Sequence, residues 1–154
     1  MNKLRRRIFI LPLMAGFAFP TASALAAPVL VEVWKSPDCG CCMDWVSHLQ
    51  GHGFAVRIHD VGNTARRRAL GIPAALGSCH TASVGGYAVE GHVPAREIRR
   101  LLAERPPAAV GLAVPGMPLG SPGMDAPAYG GRKDPYDVLL VRRDGSAVTY
   151  ASYR

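Results

Sequence analysis

The sequence lacks the motifs on which several large enzyme classes depend. It has no glycine-rich phosphate-binding loop, no paired-carboxylate motif and no arrangement of Ser, His and Asp typical of hydrolases. It also lacks a long apolar segment, because the run Ile8–Phe19 has about a dozen residues and contains Pro12, whereas a membrane-spanning helix needs about 20. The sequence therefore gives no support to a hydrolase, a kinase or a membrane anchor.

The segment before Glu32 contains no acidic residue, and its first part, residues 1–27, is predicted to be a secretory signal peptide. A basic start, a short apolar run and the small residues at the end of this segment suit a signal peptidase. Consecutive arginines near its start also resemble a twin-arginine export signal, so both that route and the general secretory route stay open. Cleavage leaves residues 28–154, about 127 residues, as one periplasmic domain.

Most of the basic charge belongs to the predicted signal peptide. The whole chain carries a formal charge of +7, and removal of Lys3, Arg5, Arg6 and Arg7 leaves 14 basic residues against 11 acidic ones, a charge of +3. A strongly basic domain is the usual electrostatic mark of a nucleic-acid-binding protein. Nucleic acid is therefore not a predicted partner.

Alternating and helical apolar patterns predict an α/β domain. The order of elements is typical of a thioredoxin-like fold, with a central mixed sheet flanked by helices. The predicted elements, in chain order, are a strand at 29–36, a helix at 41–52, a strand at 54–61, a helix from Thr64 to Leu70 capped by Asn63, a hairpin around Gly85 and Gly86, a helix after Pro94 that buries Ile98, Leu101 and Leu102, and a hairpin at Asp144 and Gly145.

Residues 106–135 are predicted to form a long loop within this domain, with little regular structure. The stretch 106–124 is dense in proline, glycine and small residues, and it places the thioethers of Met117 and Met124 in an exposed segment. Thioether sulfur suits Cu(I), so both methionines are candidate ligands. Packing of these side chains into a small apolar depression is the alternative.

Three cysteines, Cys39, Cys41 and Cys42, follow the first predicted strand and begin the first predicted helix. The N-terminus of a helix stabilises a thiolate, and thiolates bind soft metals or exchange disulfides. Cys39 and Cys42 have the C-x-x-C spacing of redox motifs, whereas a third thiol favours a metal. Soft sulfur ligands select Cu(I), with zinc as the next candidate.

Cys79 is predicted to face this cluster, because the turn before the third strand of such a fold lies against the N-terminus of the first helix. His80 is a further candidate ligand, although alternation along a strand would point it away from Cys79 unless the backbone bends there. His92 is interpreted as either a residue at the edge of the site or a surface histidine.

Three stretches of the mature sequence resemble the CopG type of small periplasmic copper-resistance proteins, a thioredoxin-like family. They are VWKSPDCGCC at 33–42, GIPAALGSCHTASVGGYAVEGHVP at 71–94 and VPGMPLGSPGM at 114–124. The resemblance implies a role in copper resistance and homeostasis, with Cys39, Cys41, Cys42 and Cys79 as sulfur ligands of a copper centre. It also implies conversion between Cu(I) and Cu(II). Independently of the resemblance, thiolates can bridge two metal ions, so four cysteines can hold more than one copper.

Three alternatives remain open at this point. One is a periplasmic thiol-disulfide oxidoreductase with Cys39 as nucleophile and Cys42 as resolving thiol. Another is a structural disulfide between Cys79 and either of those two residues. The third is an interaction module that delivers copper to an export pump or an oxidase and docks through the proline- and glycine-rich loop.

Overall fold

A computed structural model describes residues 27–154, so the predicted signal peptide, apart from its last residue, lies outside the described residues. Within them, seven strands form one mixed sheet in the order β2-β1-β3-β4-β5-β6-β7. Two neighbouring pairs, β1 with β2 and β4 with β5, are parallel, and the other pairs are antiparallel. The strands are β1 (Leu30–Lys35), β2 (Ala55–His59), β3 (His80–Val84), β4 (Tyr87–Glu90), β5 (Ala109–Ala113), β6 (Tyr136–Arg142) and β7 (Ala147–Tyr153).

Three α-helices accompany this sheet in the described part of the chain: α1 (Gly40–Gly51), α2 (Thr64–Ala69) and α3 (Ala95–Glu104). Short 3-10 helices occupy Ala74–Leu76 and Pro127–Tyr129. None of the helices in residues 27–154 has the length and apolar character needed to cross a bilayer. The predicted α/β class, with a mixed sheet, helices and two hairpins, is confirmed, whereas the narrower thioredoxin-like assignment stays a prediction.

The core lies between the sheet and helices α1 and α3. Trp45, Val46 and Leu49 of α1 are buried, and so are Ile98 and Leu101 of α3. Burying one such side chain contributes about 1.5–3 kcal/mol, so these contacts fix both helices on the sheet. Since α1 is anchored in this way, its first turn and the cysteines that it carries have a fixed position.

The prediction of a loop throughout 106–135 is wrong at its start. Residues Ala109–Ala113 form β5, which pairs with both β4 and β6 inside the sheet. A Cβ at Gly111 would collide with the carbonyl oxygen of Ala88 on β4, so glycine permits the close approach of the two strands. The glycine that suggested a loop is therefore required by the strand. The remainder, 114–135, contains the short 3-10 helix as its only regular element in the described chain.

Asn63 precedes α2 as predicted, but its side chain does not cap that helix. Its Nδ2 instead donates hydrogen bonds to the carbonyl oxygen of Ser78 at 3.1 Å and to Oγ1 of Thr81 at 3.3 Å. The amide is therefore used to hold the segment that leads into β3.

Candidate metal centre

The register of β1 against β3 brings the two cysteine-bearing segments together. Lys35, the last residue of β1, is the register partner of His80, the first residue of β3. The chain turns directly from β1 into α1, and Cys79 immediately precedes β3. Because the two strands are antiparallel, the end of one lies beside the start of the other, and the first turn of α1 therefore meets Cys79.

All four sulfur atoms lie within 4.8 Å of one another. Cys39 and Cys42 are joined by a disulfide, while Cys41 and Cys79 are free. Cys79 Sγ lies 3.5 Å from Cys42 Sγ and 3.9 Å from Cys41 Sγ, and the sulfurs of Cys39 and Cys41 are 3.7 Å apart. The structure thus places Cys79 against the cluster and does not link it to Cys39 or Cys42 by a disulfide.

Cys39 and Cys79 lie in surroundings that stabilise a thiolate to different degrees. Cys39 is the N-cap of α1, and the first turn of this helix, which lies wholly in the described chain, contains no acidic side chain. Thiolates are therefore the anions best placed to interact with its dipole. Cys79 lies outside the helix, and burial, reinforced by the nearby charge of Cys41, raises the pKa of Cys79 to about 12. Metal-free Cys79 is consequently a thiol, and a bound cation has to displace its proton.

His80 lies on the same side as Cys79, so the alternation of a regular strand does not apply to this pair. Its Nδ1 is 3.3 Å from Cys79 Sγ. The reason is local: Cys79 occupies a bend, and the strand begins only at His80, so strand alternation does not extend across this pair. The ring is fully buried, 4.3 Å from the ring of Trp45, and its Nε2 has no hydrogen-bond partner.

His92, which the sequence leaves open as either an edge residue of the site or a surface histidine, lies inside the site. It is fully buried, and its Nε2 lies 3.1 Å from Cys79 Sγ. Its Nδ1 is 2.8 Å from the carbonyl oxygen of Pro122, which can only accept a hydrogen bond, so Nδ1 carries the proton and Nε2 presents its lone pair to the sulfur. Burial lowers the pKa of His92, and burial together with His92 lowers the pKa of His80 well below its ordinary value. Both rings are therefore neutral and suited to metal binding.

The segment 114–124 covers the cluster. Gly123 lies so close to α1 that a Cβ there would be 2.7 Å from the backbone nitrogen of Trp45 and 2.8 Å from the carbonyl oxygen of Cys41. The carbonyl of the preceding residue, Pro122, binds His92. This segment therefore contacts both the cysteine-bearing turn and the histidine side of the site.

The structure separates the two candidate methionines. Met124 is buried, as the packing alternative expected, and Tyr129 Oη lies 3.9 Å from its sulfur. Its burial follows from its position next to Gly123, which packs on α1. Met117 is half exposed, at 51%, on the outer part of the same segment.

The donor set has the chemistry of a soft-metal site. Within residues 27–154, two groups of side chains converge closely enough to share an ion: the four cysteines, and Cys79 with His80 and His92. Cys79 belongs to both groups and so connects a sulfur side with a nitrogen side. Thiolate and neutral imidazole ligands suit copper and zinc, and no carboxylate belongs to either group.

Comparisons with known proteins identify relatives of this chain. Residues 76–124 match the family model described as protein of unknown function, DUF411. No curated protein sequence matches the chain. Two solved structures of copper resistance protein CopG match it with a probability of 1.00. Form 2 is 43% identical with a TM-score of 0.75, and covers 82% of this chain and 99% of its own. Form 1 is 44% identical with a TM-score of 0.74, and covers 82% and 98%.

The family model spans the segment that contains Cys79, His80 and His92, and the two CopG structures extend the likeness over most of the described chain. An identity above 40% across nearly the full length of those structures leaves the family assignment without ambiguity. The chain belongs to the CopG family of copper resistance proteins.

Proposed function

We propose that the protein binds Cu(I) in the periplasm and so contributes to copper resistance and homeostasis. The observation that supports this most strongly is the convergence of Cys39, Cys41, Cys42 and Cys79 within 4.8 Å. Four thiolates at such distances can bridge adjacent metal ions, so the site suits more than one copper. Soft thiolate ligands favour Cu(I), with zinc as the weaker alternative.

Copper binding by all four cysteines requires the reduced protein. The disulfide between Cys39 and Cys42 must first take up two electrons and two protons, supplied by a dithiol reductant that becomes a disulfide in turn. The cation then displaces protons from the thiols, including the buried thiol of Cys79. The dipole of α1 stabilises the negative charge of the three thiolates in its first turn.

His80, Met117 and Met124 are further proposed ligands at the edges of the site. His80 Nδ1 is already 3.3 Å from Cys79 Sγ. Met117 and Met124 lie in the covering segment, where the exposed thioether can receive copper at the surface and the buried one can hold it further inside. The segment is also the proposed docking surface for a copper exporter or an oxidase.

Periplasmic location rests on the predicted signal peptide at residues 1–27. Export is tested by expressing the full chain and determining the N-terminus of the periplasmic product. A mature N-terminus near Pro28 supports the proposal, and retention of the whole chain in the cytoplasm contradicts it.

Copper loading under anaerobic conditions tests the metal assignment. The fully reduced mature protein is titrated with Cu(I) against a chromophoric chelator, and the bound metal is analysed by X-ray absorption. We expect sulfur-dominated coordination and at least a tenfold loss of affinity in Cys41→Ser. Met43→Leu is the control, because it removes a neighbouring but 42% exposed sulfur from the same helix turn. Unchanged affinity in Cys41→Ser would remove the case for metal.

A thiol-disulfide oxidoreductase is the second candidate function, and the disulfide between Cys39 and Cys42 favours it. In that reaction a substrate dithiol gives two electrons to the protein disulfide and leaves as a disulfide, while Cys39 and Cys42 become thiols. Such activity needs neither Cys41 nor Cys79. With oxidised glutathione added to take the two electrons and re-form the protein disulfide, turnover of a model dithiol that persists in the Cys41→Ser, Cys79→Ser double variant would support it, whereas its loss would favour the copper site.

A further inference from the structure

We propose that Glu90 and Arg67 are positioning residues that hold the backbone around Ser78 so that the sulfur of Cys79 faces the first turn of α1. This inference rests on the proposed copper-binding function. It assigns a role to a largely buried ion pair whose hydrogen bonds go to Ser78 and Thr81 rather than to a cysteine sulfur. Both residues of the pair contact the backbone of Ser78, in the segment that enters β3.

The carboxylate of Glu90 is fully buried and has three donors. Its Oε1 accepts hydrogen bonds from Nε of Arg67 at 2.8 Å and from the backbone N–H of Ser78 at 2.7 Å. Its Oε2 accepts a hydrogen bond from the hydroxyl of Thr81. One side chain at the end of β4 thus connects the start of β3, the guanidinium of α2 and the backbone next to Cys79.

The carbonyl oxygen of Ser78 is held as firmly as its N–H. It accepts hydrogen bonds from Nη2 of Arg67 at 2.5 Å and from Nδ2 of Asn63 at 3.1 Å. Arg67 therefore contacts Glu90 with one nitrogen and the Ser78 carbonyl with another. The peptide groups on both sides of Ser78 are fixed by side chains that come from other elements.

Such support is needed because Cys79 occupies a bend outside the sheet hydrogen bonding that begins at His80. The peptide group between Ser78 and Cys79 is planar, so fixing its carbonyl oxygen fixes the direction in which the chain enters Cys79. That direction determines where Cβ and Sγ of Cys79 point. Without these contacts, the bend has no regular structure to hold the sulfur 3.5 Å from Cys42 Sγ.

The energetics also favour a positioning role over a purely stabilising one. A buried ion pair contributes little net stability, and apolar residues of similar size often replace such a pair without loss. In this protein, both residues of the pair form hydrogen bonds with the backbone of Ser78. If the role of the pair is to fix the position of this backbone segment, both its small net contribution to stability and the direction of its contacts are explained.

A double-mutant cycle with Cys79 tests the proposal. Cu(I) affinity of the reduced protein is measured by anaerobic competition with a chromophoric chelator for the wild type, Glu90→Ala, Cys79→Ser and the double variant. We expect Glu90→Ala to weaken Cu(I) binding at least tenfold in the wild-type background and less than twofold in the Cys79→Ser background. An equal loss in both backgrounds would show a general structural effect and overturn the proposal.

The cycle separates this proposal from the copper-binding function itself. If Cys79→Ser binds copper as tightly as the wild type, the assignment of Cys79 as a ligand fails. If Cys79→Ser weakens binding while Glu90→Ala does not, the ligand stands and the positioning role fails.

Two further variants keep the result interpretable. Glu90→Gln keeps an acceptor for the Ser78 N–H, so we expect its affinity to stay within threefold of wild type. Glu97→Ala is the matched control, because Glu97 is also a buried, hydrogen-bonded carboxylate but binds Tyr153 and Arg96, and we expect unchanged affinity. If Glu90→Ala does not fold, Glu90→Leu combined with Arg67→Met replaces it in the cycle, because this pair leaves no lone buried charge.

Discussion

Nε2 of His92 lies 3.1 Å from Sγ of Cys79, and the other ring nitrogen of His92 is fixed by the carbonyl of Pro122. The neutral imidazole is thereby held in one tautomer with its lone pair toward the sulfur. A metal-binding histidine is commonly oriented by a hydrogen bond of this kind from its second nitrogen. The relationship links the fourth cysteine, the end of the β3–β4 hairpin and the covering segment.

Replacing His92 with alanine is expected to weaken Cu(I) binding about three- to tenfold. The loss follows from removal of a neutral nitrogen donor that is already oriented toward Cys79, while the four sulfurs remain. Anaerobic competition titration measures it. His52→Ala is the control, because His52 is exposed and belongs to neither converging group. A His92→Ala variant with wild-type affinity would show that the imidazole only packs against the sulfur.

The thiol of Cys79 is expected to react slowly with iodoacetamide in the metal-free protein. Its pKa is raised from 9.0 to about 12, mainly by burial, so the thiolate population at pH 8 falls by about three orders of magnitude relative to an exposed thiol. We expect alkylation at least a hundredfold slower than that of a free cysteine peptide, with a rate that rises as the pH approaches 12.

The Cys41→Ser variant isolates this reaction. With the disulfide between Cys39 and Cys42 intact, Cys79 is then the one free thiol among the three cysteines that remain. Burial, the largest cause of the raised pKa, persists in that variant, whereas the contribution of Cys41 is lost, so we expect slow labelling whose rate rises at a lower pH than in the wild type. Mass spectrometry of the alkylated protein over a pH series gives the rate. Labelling at the speed of a free peptide would mean that Cys79 is not held in its buried position.

Gly123→Ala is expected to destabilise the protein and to speed the loss of bound copper. Gly123 has a φ of +84°, and a Cβ would lie 2.7 Å from the backbone nitrogen of Trp45, so the covering segment must move away from α1. Strain and displacement together are expected to cost about 1–3 kcal/mol of unfolding free energy. Thermal unfolding gives the stability, and transfer of copper to excess chelator gives the release rate.

Gly116→Ala is the matched control in the same segment. Gly116 also has a positive φ, +68°, but a Cβ there meets nothing within 4 Å. We expect a loss of about 1 kcal/mol from the backbone alone and no change in copper release. Equal copper release rates in the two alanine variants would contradict the view that contact of Gly123 with α1 closes the site.

The sequence predicts most of this fold because most of its helices and strands have a recognisable local sequence pattern. Apolar periodicity and turn residues give β1, α1 and both hairpins. Strand β5 is not predicted in this way because Gly111 and the flanking prolines are typical of a loop. The reason for that glycine, the carbonyl of Ala88 on a neighbouring strand, exists only in three dimensions.

The residues of the candidate site also differ in whether the sequence alone predicts them. Spacing reveals the cysteines of α1, and the strand order brings Cys79 to them. The importance of His92 depends on the turn after β4, which directs the ring inward, and on Pro122, which lies 30 residues later in the sequence. The only sequence signal was a histidine beside the glycine of VEGHVP, and glycine there permits several chain directions.

Lys35→Met is expected to loosen the turn that leads into Cys39. The side chain of Lys35 is 2% exposed, and its ammonium binds Oδ1 of Asp60 at 2.7 Å and the carbonyl oxygens of Ser36 and Pro37 at 2.9 and 3.2 Å. Methionine fills a similar volume but leaves both carbonyls without this donor, at a cost of about 1–3 kcal/mol in unfolding free energy.

Urea denaturation of the reduced, metal-free protein measures that loss. The control is Arg57→Met, which removes an ion pair with Glu32 on a residue that is 61% exposed and should cost only about 0–1 kcal/mol. If Lys35 acts through the turn, its variant should also slow re-formation of the disulfide between Cys39 and Cys42 after reduction, because Cys39 is no longer directed toward its partner. The Arg57 variant should re-form the disulfide at the wild-type rate. A Lys35 variant that loses stability but keeps that rate would show that the ammonium anchors β1 without orienting the cysteine.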